Sequence, residues 1–295
     1  MVMSKGLKVY QVIINIILIL VTLAMILPLV LLFMSSITEE STLIVNGYSF
    51  FPEKLSLEAY EYIMQNATTV FRAYGITILV TVIGTLGNLL LTSMLAYPLS
   101  LKELPGRKVI SFYVFFTMLF SGGLVPSYIM WTTKFGIKNT IWAYILPNFL
   151  MSAFNIILVR TYFSTNIPVD IYESAKIDGA GYMRIYWKIA LPLGKPILVT
   201  VGLFAGLAYW NDWTNGLYYI NKSELLSIQT LLNRMIRDIQ ALQAQSTIDS
   251  GSLMKVPQVS IRMAIAFVAI IPILIIYPFL QKYFASGIMI GAVKG

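Results

Sequence analysis

The 295-residue sequence contains no cysteine and no histidine. Disulfides, thiolate nucleophiles and imidazole bases are therefore excluded, and with them the usual zinc ligand sets. No metal site is expected. Charge is also scarce, at 12% of residues against about 25% in an ordinary soluble domain. Acids are the rarer sign, 13 against 21 basic side chains, which leaves a net charge of +8. What fills the chain is apolar: 58% of residues, with a mean hydropathy of +0.77, more than a soluble fold can hide. The chain reads as an integral membrane protein whose solvent is largely lipid. In such a protein a positive excess reports topology before it reports nucleic acid, so no nucleic-acid partner is expected.

A spanning helix needs roughly 20 mostly apolar residues. Six such runs occur, at about Val12–Met34, Ala73–Pro98, Val109–Trp131, Thr140–Val159, Pro196–Ile220 and Met263–Tyr283. The expected fold is all-α, a polytopic transmembrane helical bundle of six spans forming one domain over residues 1–295. The first run follows Lys5 and Lys8 but is too long for a secretory h-region and lacks a small-x-small cleavage site, so it reads as an uncleaved span. With both termini cytosolic, the inner segments hold 12 basic and four acidic residues and carry the whole +8, while the outer side nets zero. That asymmetry places the N and C termini in the cytosol. Between spans five and six, Ile228, Leu232, Met235, Ile239 and Leu242 recur at helical spacing, which predicts an amphipathic helix outside the membrane.

The most patterned inner segment, about residues 160–195, contains NIPVDIYESAKIDGAGYMRIYWKIALPLGKP. Pro168 suits a helix start, Asp170 and Glu173 favour its positive end, and Asp178-Gly179 ends it. A second short helix is expected from about Ala180 to Ile189, ending before Pro192. Its Tyr182/Tyr186 and Met183/Trp187 pairs lie i,i+4, as do the basic Arg184 and Lys188. A short helix with an aromatic face does not bury itself, and a loop held between two spans with a glycine joint calls for a partner protein.

The run ESAKIDGAGYMRIYWKIALPL resembles the EAA loop of the membrane subunits of bacterial ABC importers. Glu173, Ala175, Asp178, Gly179, Ala180, Leu191 and Pro192 match that pattern, with Ser174 in place of its first alanine. Further segments, SGGLVPSYIMW, GIKNTIWAYILPN, YWNDWTNGLYYI and PILIIYPFLQKYFASGIMIGAVKG, look like carbohydrate-uptake permeases that move oligosaccharides or polysaccharide fragments. The resemblance covers most of residues 70–295. It implies the type I ABC importer permease fold, in the plasma membrane of a bacterium. It also implies a second homologous permease subunit, two cytosolic ATPase subunits and an extracytoplasmic sugar-binding protein. On the same footing, Glu173 would pair with a basic residue of the ATPase. The helix carrying Ala180, Tyr182, Met183 and Arg184 would sit in the ATPase cleft, and the C-terminal GIMIGAVKG would reach the seam between the two ATPases. A frayed end is the other reading of that tail. Glu173 capping its own helix is the other reading of the loop.

The chain carries no G-x-x-x-x-G-K-[ST] loop, because Gly194-Lys195 lacks both the upstream glycine and a following Ser or Thr. The chain is thus expected to bind no cofactor, and the resemblance puts ATP and magnesium on the ATPase subunits. It is not expected to be an enzyme. Polar groups within the spans are candidates for a sugar path. Thr77, Thr81, Thr85, Asn88 and Thr92 form one stripe on span two, and Asn148 and Asn155 share a face of span four. Each set either lines a wet path or joins helices by hydrogen bonds. Asp212 lies 16 residues beyond Pro196, about 24 Å along a helix. With Trp210, Asn211 and Trp213 it combines the aromatic and polar groups that suit pyranose rings, although an interfacial aromatic belt explains the tryptophans as well. Tyr128 and Trp131 sit at the outer end of span three. The reading is an ABC importer permease for an oligosaccharide or polysaccharide fragment. The alternatives are a permease of the same type for a non-sugar solute, and a secondary transporter, which would need a midmembrane acid that the runs lack.

Overall fold

The computed structural model describes residues 5–65, 67–147, 149–246 and 259–292. Among them there is no β-strand, only one antiparallel bridge between Thr38 and Leu55. The first helices are α1 (Lys5–Ser36), α2 (Glu40–Asn46), α3 (Glu58–Gln65), α4 (Ala67–Ser100) and α5 (Arg107–Leu119). There follow α6 (Leu124–Ile129), continued by a π turn over Met130–Lys134, then α7 (Trp142–Ile145), α8 (Ala153–Asn166) and α9 (Val169–Ile177). Next, α10 (Tyr182–Ile185) passes through a π turn (Tyr186–Ala190) into α11 (Leu191–Leu193). The rest are α12 (Lys195–Trp210), α13 (Thr214–Tyr219), α14 (Ile228–Ser246) and α15 (Val259–Ala292).

Contacts divide the chain into two compact units, Met1–Val70 with Leu232–Ile273, and Phe71–Leu231 with Leu274–Gly295. In the first unit, none of the most apolar stretch of α1 is buried within the chain. A helix that is apolar all round and unpacked suits lipid. Its far end is held by polar side chains: Ser36 Oγ donates to Phe33 O at 2.6 Å and pairs with Tyr60 Oη at 2.7 Å. Glu40 closes the start of α15. Its carboxylate accepts from Val259 N, Ser260 N and Ser260 Oγ, each at 2.8 Å, which answers free donors where the helix dipole also favours negative charge.

Within the second unit, α4 and α12 approach through glycines. A side chain at Gly84 would collide with the Tyr209 ring, Gly206 faces Thr85, and Gly202 faces Leu89. This is the small-xxx-small packing of membrane helices. At the loop before α14, Tyr144 Oη accepts from Ser227 N at 3.1 Å, Thr77 Oγ1 accepts from Ile228 N at 2.9 Å, and Ser227 Oγ accepts from Thr230 N at 3.2 Å. These contacts fix the start of α14, the amphipathic helix expected there, with Ile228 wholly buried and Leu232 and Met235 half-buried. The side chains of Ile239 and Leu242 lie outside the described residues.

Three of the expected spans are not single helices. The run Val109–Trp131 breaks after Leu119, where Gly123 adopts φ +83°, and the two pieces meet at 111°. The run Thr140–Val159 contains only the four-residue α7 and the start of α8. The run Pro196–Ile220 ends its helix at Trp210 and turns at Asn211 and Asp212. Among the described residues, Tyr10–Ser36, Ala67–Ser100 and Val259–Ile276 are long and apolar enough to cross a membrane as single helices, and the number reaches five only if the bent pairs Arg107–Leu119 with Leu124–Lys134 and Tyr182–Leu193 with Lys195–Trp210 each count as one span. The helix α15 continues past the expected end at Tyr283 as far as Ala292, and the last three residues lie outside the described ones.

The break between α7 and α8 frees backbone carbonyls, and side chains from elsewhere answer them. Tyr209 Oη donates to Ile145 O at 3.0 Å, Asn215 Nδ2 to Pro147 O at 3.3 Å, and Asn88 Nδ2 to Phe149 O at 2.7 Å and Leu150 O at 3.3 Å. Irregular backbone at membrane depth is tolerated only where protein or water satisfies it. Asn88 is 1% exposed, so replacing it with alanine strands two half-buried acceptors. Asn88→Ala should therefore cost about 1–3 kcal/mol, read as a lowered thermal midpoint of the detergent-purified protein. An unchanged midpoint accompanied by weakened sugar uptake would instead place Asn88 on the path.

Candidate functional site

The segment between α8 and α12 folds as two short helices around a sharp corner. Ile167 is extended, as the residue before a proline prefers, and Pro168 sits at the N-cap of α9. At the other end the corner is a complete Schellman arrangement. Gly179 N donates to Lys176 O at 3.0 Å and Ala180 N to Ala175 O at 2.9 Å, with Gly179 at φ +78°. Ala175 and Ala180 pack side by side against the same apolar core. The glycine is thus the apex of a capped corner whose two flanks are both half-buried, in the helix-ending role expected of Asp178-Gly179.

Beyond the corner, the second helix starts at Tyr182, two residues later than expected, and continues through Pro192 to Leu193. The π turn at Tyr186–Ala190 lets Ile185, Tyr186 and Ala190 all face inward, each at most 1% exposed. The expected aromatic face is therefore divided. Tyr186 turns into the chain, where its hydroxyl meets Ser93 Oγ of α4 at 2.8 Å. Tyr182, Met183 and Trp187 remain exposed. Tyr172 of α9 is buried against Tyr97, with ring centroids 6.0 Å apart, and burial pushes its phenol well above the usual tyrosine value. The inner surfaces of both short helices form one core with Leu99, Ile156, Val159, Phe163, Ile197 and Val201.

Outward, Glu173, Ser174, Asp178, Gly179, Arg184 and Pro192 are exposed, and Leu191 is half-buried. Glu173 makes no ion pair or side-chain hydrogen bond among the described residues, and no side chain caps the start of α9. Its charge is felt by Lys176 but closes no ion pair there. Around it lie Ile177, 86% exposed, with Tyr182 and Met183 about 60% exposed. A small exposed helix pair carrying one unpaired acid amid apolar side chains has the composition of an interface centre with a charged specificity contact. Between α10 and the end of α4 opens an apolar cleft of about 430 Å³, lined in part by Met94, Leu104, Tyr182 and Met183. Beside it, Lys176 Nζ donates to Glu103 Oε2 at 2.6 Å and sits 5.4 Å from the Tyr182 ring. That hydrogen bond raises the lysine above its ordinary value. Sequence spacing carried no signal for Ile177, Lys176 or Glu103, since their placement depends on contacts across more than 70 residues.

The candidates for a sugar path do not converge. Asn88, Asn155, Trp210 and Asp212 are buried, at 1%, 6%, 7% and 4% exposure. Asp212 accepts from Asn215 N at 3.0 Å through Oδ1, and its backbone oxygen accepts from Ser227 Oγ at 3.3 Å. Thr92 Oγ1 donates to Asn88 Oδ1 at 3.4 Å and Thr77 Oγ1 to Ala73 O at 2.8 Å. On this stripe Asn88 and Thr77 bond to other segments, while the hydroxyls of Thr81 and Thr85 have no partner among the described residues and Thr85 looks at Gly206. Asn211 and Trp213 are exposed, Tyr128 stacks on Tyr219 with centroids 5.6 Å apart, and Trp131 lies against Phe135. Asn148 lies outside the described residues.

The family described as binding-protein-dependent transport system inner membrane component matches residues 90–290. Protein LplC of Bacillus subtilis (strain 168) is 37% identical over 92% of this chain and 90% of its own length. The polygalacturonan/rhamnogalacturonan transport system permease protein YtcP of the same organism is also 37% identical, over 92% of this chain and 93% of its own. Among solved structures, a bacterial ABC transporter involved in the import of the acidic polysaccharide alginate aligns with a TM-score of 0.78 and 29% identity. That alignment covers 96% of this chain and 99% of the matched one.

The corner makes its own demand. An L side chain at φ +78° is strained by roughly 1–2 kcal/mol, and more when β-branched. Gly179→Val should open the turn and speed proteolytic cleavage near residues 178–182 in the purified protein. Cleavage at the parental rate would show that the corner tolerates another conformation.

Proposed function

The chain belongs to the family of binding-protein-dependent transport system inner membrane components, and from that membership we propose its place in a complete transporter. It is the membrane-spanning permease subunit of an ATP-driven ABC importer, not an enzyme itself, and its cargo is an oligosaccharide or a fragment of a polysaccharide. It forms half of the pore with a second, homologous permease subunit. Two ATPase subunits in the cytosol hold ATP and magnesium, and an extracytoplasmic sugar-binding protein delivers the cargo. Both termini and the α9–α11 loop lie on the cytosolic side of the bacterial plasma membrane.

The observation that carries this reading is the exposed surface of the loop. The chain lacks a phosphate-binding loop, so the energy of ATP must arrive by contact with another protein. The corner at Gly179 supplies the contact: Glu173 for a basic partner group, and Ile177, Tyr182 and Met183 for apolar ones. Ser174, Asp178, Arg184, Leu191 and Pro192 frame it. ATP-driven closure of the ATPase pair moves this loop and rocks the attached helices, so that the path opens alternately to each side. Of the path candidates, we assign sugar contact, at a surface shared with the second subunit, to Asn211, Trp213, Tyr128 and Trp131, which are exposed or half-buried. Two of the similar proteins are named for polygalacturonan and for an acidic polysaccharide, so acidic oligosaccharides head the cargo panel.

Reconstitution of both permeases and the ATPases in proteoliposomes, with the binding protein added, tests the reading. Uptake should require ATP and every component, and transport by this chain alone would revive the secondary-transporter alternative. Glu173→Ala should leave thermal stability within about 0.5 kcal/mol, because the side chain is exposed and makes no ion pair or side-chain hydrogen bond among the described residues. It should lower sugar-stimulated ATP hydrolysis about tenfold, the scale of one lost interface contact. Hydrolysis at the parental rate would remove Glu173 from the interface.

A further inference from the structure

The two short helices pack on α4 and the turn after it, and two side-chain hydrogen bonds tie them there, one of them buried. Tyr186 is 1% exposed and so is Ser93. Ser93 Oγ lies 2.7 Å from Leu89 O, to which it donates its own proton. The 2.8 Å contact to Tyr186 is therefore made by the tyrosine hydroxyl donating to Ser93. Around this bond the rings of Tyr97 and Tyr186 lie 5.6 Å apart, and Tyr97 meets Tyr172 on its other side. The hydroxyls of Tyr97 and Tyr172 have no partner among the described residues, so of the three tyrosines only Tyr186 makes a directional bond to α4. The second attachment is the Lys176–Glu103 pair, made to the turn that follows α4. That turn is itself tied back where Arg107 Nε donates to Leu99 O at 2.8 Å.

We propose that Tyr186, through Ser93, is the positioning residue that makes the α9–α11 loop and the cytosolic end of α4 move as one body. The proposal rests on the permease reading above and adds to it the point at which force leaves the loop. A displacement imposed on the exposed corner reaches α4 directly, because no flexible segment lies between Tyr186 and Ser93. It then continues along α4 to Asn88, which is bonded to the broken backbone at Phe149 and Leu150. Packing alone would let the loop slide over the tyrosine rings, whereas a short buried hydrogen bond fixes the register of the two elements.

The test is the amount of sugar taken up per ATP hydrolysed in the assembled, reconstituted complex. Tyr186→Phe and Ser93→Ala should each lower that ratio about fivefold, the factor one buried neutral hydrogen bond is worth. The double variant should be no worse than either single one, because both remove the same bond. A ratio equal to the parental one in both single variants, or losses that multiply in the double variant, overturns the proposal. A purely structural role would lower stability and yield without changing this ratio. Should the substituted complexes not assemble, a second measurement needs neither side chain altered. The chain has no cysteine, so Lys102→Cys and Lys188→Cys, both at exposed positions, give two unique sites in it for spin labels. Their separation should be the same in nucleotide-free and ATP-trapped complexes, and a change in separation overturns the one-body proposal. Loss of ATP-driven uptake in the unsubstituted complex counts instead against the permease reading, which keeps the two failures distinct.

Discussion

Backbone at membrane depth must find its hydrogen-bond partners within the protein, and the second unit is arranged around that demand. The apolar run through residues 140–159 does not complete a helix. Four of its carbonyls are met by Asn88, Tyr209 and Asn215, side chains on α4, α12 and α13. The same contacts explain why glycines line the approach of α4 to α12, since Tyr209 reaches Ile145 only if Gly84 leaves room for its ring. Polar residues in these helices are thus first a means of closing a broken segment.

The loop that gives the chain its family character obeys a different constraint. Its inner surface is a continuous apolar core shared with α4, α8 and α12, and its outer surface carries an acid that the chain does not pair. Burial on one side supplies rigidity, and exposure on the other supplies a contact for a partner. A loose loop with the same outer residues would recognise a partner but would not transmit its motion. Gly179 belongs to the rigid side of this division, because its positive φ closes a turn whose neighbours are both packed.

How much was legible in residue order depended on the range of the contacts involved. The start of α9 at Pro168, its end at Asp178-Gly179 and the helix from Ile228 follow from capping and periodicity, which act within a few residues. The breaks inside the third, fourth and fifth apolar runs did not show, because a composition scan counts apolar residues and does not ask whether the backbone stays helical. The stripe of Thr77 to Thr92 was correctly placed on one face of α4, yet its partners lie 60 to 150 residues away. Periodicity defines a face; it does not say what the face meets.

Composition and local spacing were therefore enough for a lipid-solvated helical protein, a capped two-helix loop and the residues of its corner. Each of these follows from solvent transfer energy or from hydrogen bonds between near neighbours. Tertiary structure alone decided that Tyr186 turns inward to Ser93 while Tyr182 stays outside, and that Asn88 and Asp212 are buried. It also showed Glu173 unpaired beside an exposed Ile177. Those outcomes depend on which distant surfaces come together, and no short-range rule of the chain encodes that.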